Sequence, residues 1–272
     1  MPSPDTITVQ QLSKLIGTPQ SPVIIDVRID EDFDAAPRLI PSAIRHPFPR
    51  ITTLVPLLAG RTAVIVCHKG LKISQGAAAM LRANGIAAEV LDGGFVAWQE
   101  RGEPLVPADN IPPRNAEGQT VWVTRHRPKI DRIACPWLIR RFVDPTAQFL
   151  FVSPSEVLAV ADRFNATPFD VPDVAWSHQG DLCTFDTMVA AFDLKTEPLL
   201  RLATIVRAAD TDRHDLAPEA AGLLAVSLGL SRMYRDDLQQ LEAGIAVYDA
   251  FYRWARDARD ESHDWPPVVT GG

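Results

Sequence analysis

Cysteine is scarce in this chain, with only Cys67, Cys135 and Cys183 among 272 residues. Being few, scattered and odd in number, they exclude a disulfide framework and leave at least one free thiol for redox or metal chemistry. A run of about 18 apolar residues, the length that spans a membrane, is absent. The opening stretch Met1-Pro2-Ser3-Pro4-Asp5 has neither the basic region nor the apolar core of a secretory signal, so the expected compartment is the cytoplasm, with no membrane partner. Positive charge is also in deficit, 27 Lys and Arg against 34 Asp and Glu for a net charge of -7. That argues against nucleic acid as a partner, because phosphate binding needs a basic surface. Neither a Cys-x-x-Cys nor a His-Glu-x-x-His pattern occurs, which removes the ready-made zinc motifs.

What is present reads as a globular protein: 46% apolar and 22% charged residues signal neither disorder nor a membrane span. The length suggests two domains. The most informative stretch is Val64-Ile65-Val66-Cys67-His68-Lys69-Gly70-Leu71-Lys72-Ile73-Ser74-Gln75-Gly76-Ala77. An apolar β-rich run ends in a cysteine, and a short basic loop then opens a helix. Backbone N–H groups at the helix start, together with Lys69 and Lys72, favour thiolate over thiol and hold an incoming oxyanion. Cys67 is therefore a candidate nucleophile. The alternative is a small apolar residue closing a buried strand.

Upstream, Val23-Ile24-Ile25-Asp26-Val27-Arg28 is a second buried strand ending in a charged pair, and downstream Val90-Leu91-Asp92-Gly93-Gly94-Phe95 is a strand followed by a glycine turn and a helix bearing Trp98. This order resembles the rhodanese domain over residues 5–106. The resemblance implies an α/β fold with a parallel sheet flanked by helices and a sulfurtransferase that carries a persulfide on Cys67. It further implies that Asp26 and Arg28 close the first strand near the site, and that His68, Lys69, Gly70, Leu71, Lys72, Ile73 and Ser74 form the anion loop. Thiosulfate is the implied small donor, with an unidentified acceptor. Two departures stand out: Lys72 replaces the family's arginine, giving a point charge for a planar fork, and Ile73 intervenes before Ser74. The loop then reads as one residue longer, with room for a larger tetrahedral oxyanion such as chromate.

Between residues 103 and 118 the pattern breaks, since Pro104, Pro107, Pro112 and Pro113 with Asn110, Asn115 and Gly118 continue neither a helix nor a central strand. Residues 107–118 read as a linker and 119–260 as a second, mostly helical α+β domain. It begins with a strand at Val121-Trp122-Val123-Thr124. A helix follows that starts between Asp131 and Cys135, because Pro136 belongs near a helix start. Strands are expected at 147–152 and around 174–176, separated by a helix around 155–164. Leu238, Leu241, Ile245, Tyr248, Tyr252 and Ala255 recur at helical spacing and predict one apolar face of a long amphipathic helix.

His178, Asp181, Cys183 and Asp186 cluster after a predicted strand, and Asp210 and His214 share a face if their helix persists. Histidine, cysteine and carboxylate are the ligand types of zinc or a non-haem transition metal. The alternative is that Asp210 caps a helix while His178 satisfies backbone groups. The blocks Trp122-Val123-Thr124-Arg125, Pro128-Lys129-Ile130-Asp131-Arg132-Ile133-Ala134-Cys135-Pro136-Trp137, Ser177-His178-Gln179-Gly180-Asp181-Leu182-Cys183-Thr184-Phe185 and Ala209-Asp210 resemble the C-terminal domain of the chromate-resistance ChrB family. That resemblance implies a part in bacterial chromate resistance, in sensing or in handling chromate or its reduction products. Chemistry and family motif together select Asp131, His178, Cys183 and Asp210 as metal ligands, with Cys135 next, for zinc, iron or manganese. Arg125, Arg132, Arg140 and Arg141 are alternatives for oxyanion contact. The expected function is a chromate-resistance-associated sulfurtransferase with a metal- or oxyanion-binding second domain, or else a non-catalytic chromate or redox sensor or regulator.

Overall fold

The computed structural model describes residues 5–259 and 261. Residues 1–4, read above for a signal, and residue 260, the last assigned to the second domain, lie outside them. Strands β1 (Thr6–Ile7), β2 (Val23–Asp26), β3 (Arg38–Leu39), β4 (Ile44–Arg45), β5 (Ala63–Val66), β6 (Ala88–Leu91) and β7 (Val106–Pro107) come first in the chain. Five of them form a parallel sheet in the order β1-β6-β5-β2-β4. The remaining two, β3 and β7, pair antiparallel beside it. Helices α1 (Val9–Leu15), α2 (Asp30–Asp34), α3 (Val55–Leu58), α4 (Lys72–Ala83) and α5 (Gly94–Glu100) fill the connections.

Every residue of β2 and β5 is buried, as the near-continuous apolar runs of a parallel sheet covered on both faces require. Alternation then sorts the side chains. Ile25, Val27, Ile65 and Cys67 pack on α4 through Ala77, Ala78 and Leu81. On the opposite face, Ile24, Val64 and Val66 pack with Leu12 of α1 and with Phe95 and Trp98 of α5.

The second half is built on β8 (Val121–Arg125), β9 (Gln148–Val152) and β10 (Thr167–Pro168), a parallel sheet in the order β10-β8-β9. Between these strands run α6 (Asp131–Leu138) and α7 (Val157–Phe164). Pro136 lies inside α6 and has no N–H to give the preceding turn; the helix passes into a π-helical turn at Ile139–Val143. The rest is helical: α8 (Thr184–Ala191), α9 (Glu197–Asp210), α10 (Ala220–Met233) and α11 (Asp237–Asp257). Among the described residues, no helix is long and apolar enough to cross a membrane.

Three local expectations need correction. The third strand is Thr167–Pro168, not 174–176; Trp176 contributes an isolated bridge to Phe169. Helix α9 ends at Asp210, and His214 begins a separate 3-10 turn, so the two share no helix face. Leu238 sits in the first turn of α11 and is exposed, whereas Leu241, Ile245, Tyr248, Tyr252 and Ala255 form the buried stripe.

The two halves share one apolar cluster, in which Leu12, Ile16, Phe95 and Trp98 join Trp137, Phe142, Leu199 and Tyr252. The backbone amide of Ser42 donates to the Phe142 carbonyl at 2.6 Å, Asn110 Nδ2 donates to the Ala191 carbonyl at 2.6 Å, and Arg38 pairs with Asp193.

Candidate functional site

Cys67 follows the last residue of β5, and residues 68–71 carry the chain into α4. Its sulfur lies 3.1 Å from Ser74 Oγ, which also donates to the Leu71 carbonyl at 3.1 Å. No side chain caps α4, so the first-turn N–H groups are open to an anion. Ile73 and Ser74 belong to the first turn of α4, which begins at Lys72. The loop is held from behind by a second turn: the amides of Phe95 and Val96 donate to the carbonyls of Cys67 and His68, both at 3.0 Å. Gly70 and Gly94 adopt positive φ of 68° and 62° where these two turns touch, and a Cβ on either would strike the other's backbone.

The remaining residues expected around Cys67 sit differently. Asp26 shares the sheet face of Ile24, opposite Cys67. Its carboxylate takes Arg28 Nη2 at 2.6 Å and Nε at 2.8 Å, with both side chains buried. Arg28 spends its other donors on the carbonyls of Ala36 and Arg38, and its guanidinium lies 3.7 Å from the Phe95 ring centroid. With all its nitrogens engaged, Arg28 fastens the segment after β2 and offers nothing to an anion at the sulfur. His68 faces Asp32 at 4.0 Å, and Lys69, Leu71 and Lys72 line the exposed side.

The second constellation lies at the carboxyl end of the β10-β8-β9 sheet. Asp131 opens α6 and is fully buried; its carboxylate accepts the backbone amides of Thr184 at 2.6 Å and Phe185 at 3.3 Å, joining the starts of α6 and α8. Asp170 follows β10 at a positive φ of 51°. Its Oδ1 accepts the Thr184 hydroxyl at 3.0 Å, and its Oδ2 meets Arg125 Nη2 at 3.1 Å and Arg132 Nε at 3.2 Å. Asp210 closes α9. Into this space His178 turns Nε2, which lies 3.2 Å from Asp210, 3.5 Å from Asp131 and 3.6 Å from Asp170. Asp131, Asp170 and His178 can offer ligand atoms all within 4.8 Å of one another.

Crowding of like charges shows in the titration behaviour. The hydrogen bond to Asp131 is the main cause that raises His178 to about 9; burial opposes it and the three carboxylate charges add to it. Burial first, then the charges of Asp131 and Asp170, push Asp210 up to about 7. Burial and Asp131 raise Asp170 as well, against the pull of Arg132 and Arg125. Excess negative charge confined in this way is what a bound cation relieves.

The structure thus gathers Asp131, His178 and Asp210 and adds Asp170, which sequence reasoning missed. It leaves Cys183 and Cys135 outside the ligand group among the described residues. Cys183 occupies the position before α8, where its amide donates to Asp186 at 3.1 Å, and burial drives both thiols far above the ordinary cysteine range. Asp181 is exposed, and Asp186 pairs with Arg207 at 3.0 Å. Arg140 and Arg141 turn away to Glu242 and Asp249, at 2.5 and 2.7 Å, while Arg125 and Arg132 remain at the site.

Comparison with known families assigns both halves. The profile of the rhodanese-like domain matches residues 8–101, and that of the ChrB C-terminal domain matches residues 122–255. The chain joins a rhodanese-like domain to a ChrB C-terminal domain. Protein ChrB of Cupriavidus metallidurans is 37% identical over 156 residues, 56% of this chain and 46% of that protein. The chain therefore spans less than half the length of the curated relative it matches. Among solved structures, a rhodanese-like domain protein from Staphylococcus aureus is 33% identical, with 35% of this chain and 90% of that one covered at a TM-score of 0.31. A thiosulfate sulfurtransferase from Pseudomonas aeruginosa is 27% identical, with 38% and 19% covered at a TM-score of 0.32. The cysteine loop lies in the rhodanese-like domain, and the carboxylate–histidine cluster lies wholly in the ChrB C-terminal domain.

Proposed function

We propose that this is a chromate-resistance protein with two chemical centres: a divalent metal held by Asp131, Asp170 and His178 with Asp210 alongside, and a sulfur-carrying thiol at Cys67. The observation that carries the reading is His178 Nε2 within 3.2 to 3.6 Å of three carboxylates, two of them on buried residues. A protonated imidazole fills that place as a single charge; a divalent cation fills it with two and a fixed geometry. Carboxylate oxygens with one imidazole favour iron(II) or manganese, with zinc also compatible. Asp131 and Asp170 are held by hydrogen bonds from Thr184, Phe185 and Arg125, the outer contacts that orient metal ligands, and Asp170 is further paired in charge with Arg132. His178 and Asp210 stand on the solvent side and leave the centre open to a small ligand.

At the other centre, the Cys67 thiolate attacks the outer sulfur of thiosulfate. The donor's S–S bond breaks, sulfite leaves with the electron pair, and Cys67 is left as a persulfide. The open amides at the start of α4, with Lys69 and Lys72, stabilise the negative charge on donor and persulfide. The likeness of residues 122–255 to ChrB supports the place in chromate resistance. A second reading, a non-catalytic oxyanion or redox sensor, draws support from Lys72, which stands where rhodaneses carry an arginine and offers an anion a point charge in place of a planar fork.

Metal analysis of the full chain after dialysis against manganese, iron(II) and zinc tests the first centre. About one equivalent in the wild type, lost in Asp131→Asn, supports it; equal content in both removes it. Intact mass after thiosulfate treatment tests the second. A cyanide-labile gain of one sulfur that requires Cys67 supports a carrier, and no gain favours the sensor.

A further inference from the structure

The metal reading accounts for the carboxylates and His178 but leaves the basic side of the same cleft unexplained. Thr124 is fully buried, and its hydroxyl has no hydrogen-bond partner. Arg125 Nε and Arg132 Nε are also buried without a partner of good geometry, although both guanidinium groups sit beside Asp170. Unmade hydrogen bonds of this kind are costly and point to a missing partner. Thr124 is placed to share that partner. By alternation along β8 its side chain lies on the face of Trp122, which packs in the cluster carrying α6 and α8, the helices that bring Asp131, Arg132 and Thr184. The register sets it beside Phe169, the residue before Asp170. Arg125 keeps 38% of its side chain exposed, so the basic side is reached from solvent.

Resting on the metal reading, we propose that Thr124, Arg125 and Arg132 form the anion half of the same centre, a subsite for a tetrahedral oxyanion that also ligates the metal. Asp170 divides the two halves: Oδ1 faces His178 and Thr184, and Oδ2 faces the arginines. With His178 protonated among them, three carboxylates, one imidazolium and two guanidinium groups cancel while the centre holds no cation. A divalent cation that displaces the imidazole proton leaves one surplus positive charge, which an oxyanion neutralises. Anion binding therefore strengthens with the metal. Two guanidinium forks and a hydroxyl supply donors in several planes, which suits a tetrahedral group better than a flat carboxylate.

The test is calorimetric titration of the full chain with inorganic phosphate, with and without saturating manganese, in wild type, Thr124→Val and Arg125→Gln. Phosphate is expected to bind the manganese-loaded protein more tightly than the metal-free one. Affinity should fall about fivefold in Thr124→Val and about tenfold or more in Arg125→Gln. Thr124→Val removes a hydroxyl that bonds nothing, so its thermal midpoint should not drop. Thr124→Val should leave manganese binding unchanged, since it removes neither a ligand nor a group that orients one, whereas Arg125 also holds Asp170 and Arg125→Gln is therefore compared at saturating manganese. Sulfate and phenyl phosphate run in parallel separate a free oxyanion from a phosphate ester, and binding of either upholds the subsite. Manganese binding with no anion binding, or with affinities equal in all three proteins, overturns this inference and leaves the metal reading standing. Failure of manganese, iron(II) and zinc alike to bind removes both.

Discussion

Substituting Gly94 by alanine probes how the Cys67 loop is kept in shape, because Gly94 lies outside that loop and touches it only through backbone. A Cβ there would collide with the Cys67 carbonyl and the Gly70 amide and lie 2.9 Å from the His68 carbonyl, at a φ of +62°. None of these neighbours is a side chain that can swing aside. The left-handed conformation costs alanine about 1 kcal/mol, and the forced separation of two backbone segments adds about 1–3 kcal/mol. A total near 3 kcal/mol is expected from urea denaturation. Relieving the contact moves the loop by about 1 Å, which lowers the single-turnover rate of persulfide formation by about a hundredfold. The rate of Cys67 alkylation by iodoacetamide should change too, and it reads the loop whether or not thiosulfate is a donor. Gly102→Ala is the control, since Gly102 has a φ of +71° but nothing within 4 Å of its Cβ. It should show the conformational cost of about 1 kcal/mol and unaltered thiol chemistry. If Gly94→Ala matched Gly102→Ala in stability and in alkylation rate, the claim that the two glycine turns shape the loop would be refuted.

Other perturbations report on separate features. Burial raises Asp144, but the Arg114 guanidinium and hydrogen bonds from Thr120 and Thr146 outweigh it and hold the carboxyl below its usual 3.8. Its stabilisation is therefore complete above pH 4 and lost as pH falls through the lowered value. Asp144→Asn should cost about 1–3 kcal/mol at pH 7, with the gap from wild type closing in acid denaturation below pH 4; a gap independent of pH would contradict the assignment. Arg28→Lys should destabilise by about 3 kcal/mol, because lysine cannot reproduce the fork on Asp26 and strands a buried carboxylate. Cys67 alkylation should survive wherever that variant is folded, and its loss would place Arg28 at the sulfur. Cys183→Ala should keep the metal content of wild type while losing about 1 kcal/mol of packing; loss of metal would return the thiol to the ligand set.

The long apolar runs were readable because both faces of a parallel sheet demand them: Val23 to Val27 and Ala63 to Val66 announce themselves by composition alone. So does the stripe of α11. The centre was only partly legible. His178, Asp131 and Asp210 carry the right chemistry on motif-bearing segments, but Asp170 stands after a strand of two residues, one of them proline, where no periodicity develops. Its available signal was a carboxylate between Pro168 and Pro172 just past a parallel strand, the end at which such sheets build sites. Cys183 misled for a different reason, since at its helix-opening position both backbone and thiol serve the first turn of α8 beside Asp186. Asp26 and Arg28 sit within the expected stretch, yet alternation along β2 sends Asp26 through to the far face, a fact that depends on which residue parity meets α4.

The apolar cluster running from Leu12 and Trp98 through Phe142 to Tyr252 has a practical consequence for anyone dividing this chain. Cutting in the proline-rich stretch would yield two fragments that each present a greasy, freshly bared wall to water. Such pieces are expected to stick to one another or to aggregate. A protease acting there should leave a nicked pair that still elutes together rather than two freely separating products.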